Sequence, residues 1–184
     1  MLNLNQESAV LIIIDVQENL FKVIEKNDNN ILSDNILKLI KSINIFNIPI
    51  IISEQFPRFF GHTINPILEL LPSNQPVHKM TFNCYLEHSF REALEKIDKK
   101  QLIIAGIETH ICVLQTALTL KNNGYEVYIV SDACGARKKI DHKTALKLMQ
   151  KSDIKIVTYE MIIFQLMQSA TDKNYKKILK IINN

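Results

Sequence analysis

Apolar positions along the chain fall into two rhythms. Residues 9–14 (AVLIII) are an unbroken apolar run, largely β-branched, of the kind carried by strands buried on both faces, and Asp15 stops it. Residues 31–46 change period: Ile36, Leu39, Ile40 and Ile43 share one side of a helix. Pro49 opens a second buried run at residues 50–52. Residues 53–75, four of them Pro or Gly, read as a loop with a short helix near residues 67–71. Residues 77–79 (VHK) make a brief third strand, and residues 89–97 return to a helical pattern. Residues 102–105 are a fourth strand ended by Gly106. Residues 109–122 follow as a helix with Thr109 as its N-cap, closed by Asn123 and Gly124. Residues 127–130 are strand five. Asp141 is placed to cap a helix running to about residue 151, residues 155–157 are strand six, and two helices finish the chain.

Buried strands alternating with helices predict a single α/β domain over residues 1–184: a three-layer α/β/α sandwich around a six-stranded, mostly parallel sheet. Right-handed crossovers favour the doubly wound arrangement, in which ligands bind beyond the carboxyl ends of the strands. Asp15 ends strand one, Lys79 ends strand three, and residues 106–112 follow strand four, so all fall on that one edge.

Composition narrows the function without naming it. The 184 residues are 47% hydrophobic and 22% charged with a formal net charge of +3, and the lysines are dispersed among acids. That balance gives no basis for nucleic-acid or membrane binding. The opening MLNLNQES carries no basic stretch or cleavage site, so a cytoplasmic protein is expected. Cys84, Cys112 and Cys134 are too far apart for a CxxC site and are read as free thiols. Cys84 and Cys134 have no special context and are read as structural.

Cys112 stands in the first turn of its helix, where unpaired amides and the helix dipole favour a thiolate, and Lys79 would favour it further. Asp15 is placed to exchange a proton with that thiol, and the amides of the turn face the place where an oxyanion would form. Taken singly, each residue has an ordinary reading: a strand-terminal Asp caps, a strand-end Lys is solvated, a helical Cys packs in the core. Their joint position on the reactive edge favours a nucleophilic site.

Three segments carry a family resemblance: residues 11–17 (LIIIDVQ), 78–82 (HKMTF) and 105–113 (AGIETHICV). Together with residues 124–127 (GYEV) and 131–134 (SDAC), they resemble the isochorismatase-like cysteine hydrolases over nearly the whole chain. The resemblance implies a Rossmann-like strand order, a triad of Asp15, Lys79 and Cys112, a cis peptide between Ile107 and Glu108, and an oxyanion hole from the backbone amides of Glu108 and Cys112. It implies a small amide, ureido or ester substrate, acyl transfer to the thiol and then hydrolysis. It also implies homo-oligomers, for which the apolar residues 161–167 and 178–182 offer candidate surfaces. True isochorismatases cleave a vinyl ether without such a thiol, so Cys112 favours the amidase branch.

One departure bears on cofactors. The nicotinamidase branch carries Asp-x-His after strand two and a later His that bind a metal; here the stretch reads Glu54-Gln55-Phe56-Pro57, with only His62 to follow. No metal and no other cofactor is expected. Gln17, Phe21, Phe56, Phe60 and Phe82, together with Phe59, are candidate pocket residues because they flank the reactive edge. Arg137 is a candidate anion or subunit contact, and Glu108 is unusual beside an oxyanion site. The rival to an enzyme is a redox-sensing or silent binding protein that keeps the fold, since an activated thiol serves both uses. A nucleotide-binding module is discounted for want of a Gly-rich turn.

Overall fold

The run AVLIII is strand β1 (Ala9–Ile14), buried at every residue. The structure, a computed structural model, describes residues 3–25, 31–71 and 75–183. Residues 1 and 2 of the opening segment and residues 72–74 of the long predicted loop lie outside them. The remaining strands are β2 (Ile50–Gln55), β3 (Val77–Lys79), β4 (Gln101–Ile107), β5 (Glu126–Gly135) and β6 (Lys155–Val157). They form one sheet in the order β3-β2-β1-β4-β5-β6, with every pair parallel. This is the doubly wound order whose reversal lies between β1 and β4.

Alternation along β1 divides the core. Leu11 and Ile13 face a layer made by α2 (Ile31–Ile45), α8 (Tyr159–Met167) and α9 (Tyr175–Asn183), through side chains such as Leu39, Ile43, Ile162 and Ile178. Val10, Ile12 and Ile14 face α5 (His88–Ile97), α6 (Leu114–Asn122) and α7 (Lys139–Lys151), through Phe90, Leu94, Leu120 and Met149. The apolar carboxy-terminal stretches are thus used largely within the chain: Ile162, Ile163, Leu166 and Ile178 are buried, leaving Met161 and Phe164 outward.

Several boundaries differ from the sequence reading, for physical reasons. Strand β2 continues through Ser53, Glu54 and Gln55, polar residues that are nonetheless buried and hydrogen-bonded. An additional helix, α1 (Glu18–Glu25), follows β1; Phe21 and Ile24 are buried and Leu20 packs against the core beside them, a stretch too short to announce a helical period. The loop holds α3 (Pro57–Phe60) and α4 (Asn65–Leu70). Asp141 is not a cap, because α7 begins at Lys139 after Lys138. Thr109 is not a cap either. It opens a π-helical turn (Thr109–Val113) ahead of α6, and its hydroxyl donates to the carbonyl of Gly135 at 2.9 Å.

Gly106 fixes how closely β4 approaches β1 just before Asp15. Its φ is +123°, and a Cβ there would sit 2.1 Å from the carbonyl oxygen of Ile14. Gly106→Ala is therefore expected to cost about 3 kcal/mol or more through backbone strain and steric overlap. Denaturant unfolding should show it as a lower midpoint at unchanged slope.

Candidate active site

Three strand ends bring the site together. Asp15 leaves β1 with φ 53° and is fully buried; its Oδ1 accepts the Ser53 hydroxyl at 2.7 Å. Its Oδ2 lies 2.7 Å from Lys79 Nζ, and neither side chain reaches solvent. Lys79 Nζ donates to Gln55 Oε1 at 2.6 Å and to the Thr81 carbonyl at 3.2 Å, and stands 3.6 Å from Cys112 Sγ. Cys112 comes from the π-helical turn after β4 and lines a cavity of about 510 Å³. Asp15, Lys79 and Cys112 thus meet at one point, with the thiol facing the cavity and the ion pair behind it. The peptide bond between Ile107 and Glu108 is cis.

The electrostatics differ from the sequence expectation of a thiolate. Burial pushes the Cys112 thiol well above its ordinary value, and the Asp15 carboxylate adds to this; Lys79 pulls the other way without prevailing. Burial works most strongly against the Lys79 ammonium, but Asp15, Cys84 and Cys112 acting together outweigh it, so the amine is held above its ordinary value. Asp15 thus interacts with both the Lys79 ammonium, 2.7 Å from its Oδ2, and the Cys112 thiol.

The other two thiols are buried and free. Burial pushes Cys84 up to about 11 and Cys134 up to about 12, from an ordinary value near 9. A folded value above the unfolded one stabilises the fold fully below about pH 9, and that contribution is lost as pH rises toward the folded values. Urea unfolding at pH 8 and pH 10 is expected to show lower stability at pH 10, with part of the difference removed in Cys134→Ala.

Sequence reasoning missed the polar end of β2. Ser53 holds the acid and Gln55 the lysine, two residues apart on the same face of the strand. The Gln55 amide is itself fixed by donating to the Met80 carbonyl at 2.9 Å. The available signal was polar residues continuing a buried run into the reactive edge. Ser53→Ala should lower kcat about tenfold with KM nearly unchanged, since a hydrogen bond to a charged group contributes about 1.5–3 kcal/mol. Ser53→Thr should restore much of it, an outcome that separates positioning from mere packing.

A family model for the isochorismatase domain matches residues 9–161. The chain belongs to the isochorismatase family. It is 34% identical to isochorismatase family protein 1A of Dictyostelium discoideum, an alignment covering 97% of this chain and 88% of that one. Among solved structures, the MAR1 ribonuclease of Caenorhabditis elegans superposes with a TM-score of 0.90 at 28% identity, covering 98% of this chain and 92% of that one. The YcaC protein of Escherichia coli, an octameric hydrolase of unknown specificity, gives 0.90 at 21% identity, covering 100% and 97%; that likeness speaks for the fold alone.

Within this isochorismatase fold the predicted pocket residues separate. Phe59, Phe60 and Phe82 line the cavity with Cys112. Phe21 does not: it is buried in the core as the anchor of α1. Phe56 stacks on Phe59 at 6.2 Å instead of lining the cavity. Gln17 is also displaced from the pocket, because its side chain ties strand to loop. Its Nε2 donates to the carbonyls of Gln55 at 2.9 Å and Gly61 at 2.7 Å, and its Oε1 accepts from the Gln55 amide at 2.7 Å. Glu108 and Arg137, separate puzzles in the sequence, are partners across the cavity wall, with Arg137 Nε 3.0 and 3.1 Å from the two carboxylate oxygens.

The metal of the nicotinamidase branch does not fit here. Phe56 offers no donor at the matching position, and Glu54 Oε1 already accepts the amide and hydroxyl of Thr63 at 2.7 and 2.8 Å. His62 and His78 approach its other oxygen at 3.1 and 3.3 Å. Among the described residues no group of three or more His, Cys, Asp or Glu side chains is arranged to hold a metal ion.

Proposed function

We propose that this isochorismatase-family hydrolase is a cysteine amidohydrolase that cleaves a C–N bond in a small molecule. The observation that carries the reading is the meeting of Asp15, Lys79 and Cys112 beneath a cavity, with a buried 2.7 Å ion pair beside the one thiol that lines it. Asp15 takes the thiol proton as Sγ attacks the carbonyl, and Lys79 steadies the acid and the developing negative charge. The backbone amides of Glu108 and Cys112 are assigned to the oxyanion. The proton held by Asp15 passes to the leaving nitrogen; water then releases the acid from the thioester and returns the thiol.

A redox-sensing role is less well supported, because sensor cysteines are accessible and acidic, whereas Cys112 is nearly buried and its thiol is pushed upward. A nuclease activity like that named for the nematode relative is disfavoured by a cavity with largely apolar walls. As membership of the family implies, we expect a homo-oligomer. Among the described residues no helix is long and apolar enough to cross a membrane.

The deciding experiment incubates the protein with small amides, ureido compounds and esters, measures ammonia and acid release, and quenches in acid for mass spectrometry. An acyl adduct on the peptide bearing Cys112, forming and decaying at the turnover rate, is expected. Product release with no adduct at any time would refute the covalent route.

A further inference from the structure

The ammonium of Lys79 is aimed in part by the main chain that follows it, and a residue outside the cavity holds that chain in shape. Beyond Asp15 and Gln55, Lys79 Nζ donates to the carbonyls of Thr81 at 3.2 Å and Phe82 at 3.4 Å, two and three residues further on. The amides of the same bend are taken by Glu87. Its Oε1 accepts the Met80 amide and the Thr81 amide, each at 3.0 Å. The Thr81 hydroxyl lies 2.8 Å from the same oxygen, its proton shared with the Asn83 carbonyl at 2.9 Å. Successive amides converging on one anion in this way form a nest.

The two peptide groups after Lys79 are therefore gripped from both sides. The first gives its carbonyl to the Phe56 amide at 2.9 Å and its N–H, that of Met80, to Glu87. The second gives its carbonyl to Gln55 Nε2 at 2.9 Å and its N–H, that of Thr81, to Glu87. One grip comes from the end of β2; the other is the residue immediately ahead of α5. The Thr81 amide above all, with the Thr81 hydroxyl and the Met80 amide, holds the Glu87 carboxyl below the ordinary carboxylate range despite its partial burial. Glu87 forms no part of the cavity wall. We propose that Glu87 is a positioning residue, which through the main chain of residues 80–82 fixes the Lys79 ammonium against Cys112. Its part in turnover rests on the cysteine-hydrolase reading; its effect on the thiol does not. Lys79 opposes the burial and the Asp15 charge that push the Cys112 thiol up, so a loosened ammonium leaves less thiolate at a given pH. Plain charge acts in the opposite direction, because removing an anion near a thiol raises its thiolate fraction. A positioning role and a charge effect thus differ in sign.

Alkylation of Cys112 by iodoacetamide at pH 8, read by mass spectrometry against N-acetylcysteine, measures that sign. Glu87→Ala removes the acceptor and is expected to slow the reaction about fivefold. Glu87→Gln keeps a carbonyl oxygen for the same donors and should stay within about twofold of the unaltered protein. Glu92→Gln, a charge change at an exposed position on α5, should have no effect. Alkylation in Glu87→Ala that is as fast as in the unaltered protein, or faster, overturns the proposal, since a lost charge or a loosened loop would give that result. Glu87→Gln as slow as Glu87→Ala overturns it too, because the bonds accepted would then not be what matters. A variant that unfolds would react faster at all three cysteines; Thr81→Val, which removes one of the donors, then decides, with about a twofold slowing expected and an unchanged rate overturning the proposal. In turnover, Glu87→Ala should lower kcat in step with the alkylation rate and keep KM. Slowed alkylation in a protein that hydrolyses no amide, ureido compound or ester would sink the hydrolase reading and leave the positioning role standing. Full turnover with unchanged alkylation in Glu87→Ala would do the reverse.

Discussion

Cys112→Ala will keep the fold and lose turnover by four orders of magnitude or more, a loss on the order of that seen when a nucleophile acting within a catalytic unit is deleted. Burial, and after it Asp15, push the Cys112 thiol upward, which favours removal of its proton in step with attack. In the proposed mechanism its attack is coupled to proton transfer onto Asp15. Asp15→Asn removes the acceptor and should cost on the order of a thousandfold. Because acid and thiol act in one step, the double variant should be no worse than Cys112→Ala alone. Ammonia release measures each loss, and thermal melting checks that the fold is kept. Comparable turnover in Cys112→Ala would show that another group attacks the substrate.

The second large effect is on stability. Lys79→Met leaves the Asp15 carboxylate buried without its cation, and breaking a fully buried pair in this way costs about 3–5 kcal/mol. A chain of this size should then melt about 10 °C lower. Asp15→Asn combined with Lys79→Met removes both charges together and should recover much of the loss. A double-mutant cycle by denaturant unfolding measures the coupling. Additive losses would mean that the two charges do not depend on one another in the folded protein.

The uneven legibility of the fold follows from how each element is stabilised. Strand β1 and the core of β4 were legible because strands buried on both faces must be continuously apolar. Strand β2 was cut short after Ile52, since Ser53, Glu54 and Gln55 are buried by virtue of partners on β1, β3 and a loop that a local pattern cannot show. Helix α1 escaped for a similar reason: Leu20, Phe21 and Ile24 pack it against the core, which the short local pattern does not show. In the site, the positions of Asp15, Lys79 and Cys112 followed from topology, because strand ends in such a sheet share an edge. The charge state of Cys112 did not follow. The helix terminus visible in sequence favours the thiolate, whereas desolvation depends on packing from several elements and acts in the opposite direction. Glu108 and Arg137 lie 29 residues apart, and only the meeting of β4 and β5 makes them a pair.

The sheet's two outer strands, β3 and β6, are only three residues long. A parallel sheet of six strands would otherwise present rows of unpaired main-chain groups at both margins, each a template for another molecule's strand. Here those templates are too short to hold a partner in register. Association between molecules should therefore use side chains on helices and loops and leave the sheets separate. The same brevity restricts sequence drift. With Lys79 as its last residue, β3 can be neither trimmed to protect against aggregation nor lengthened without moving the ammonium that the site depends on.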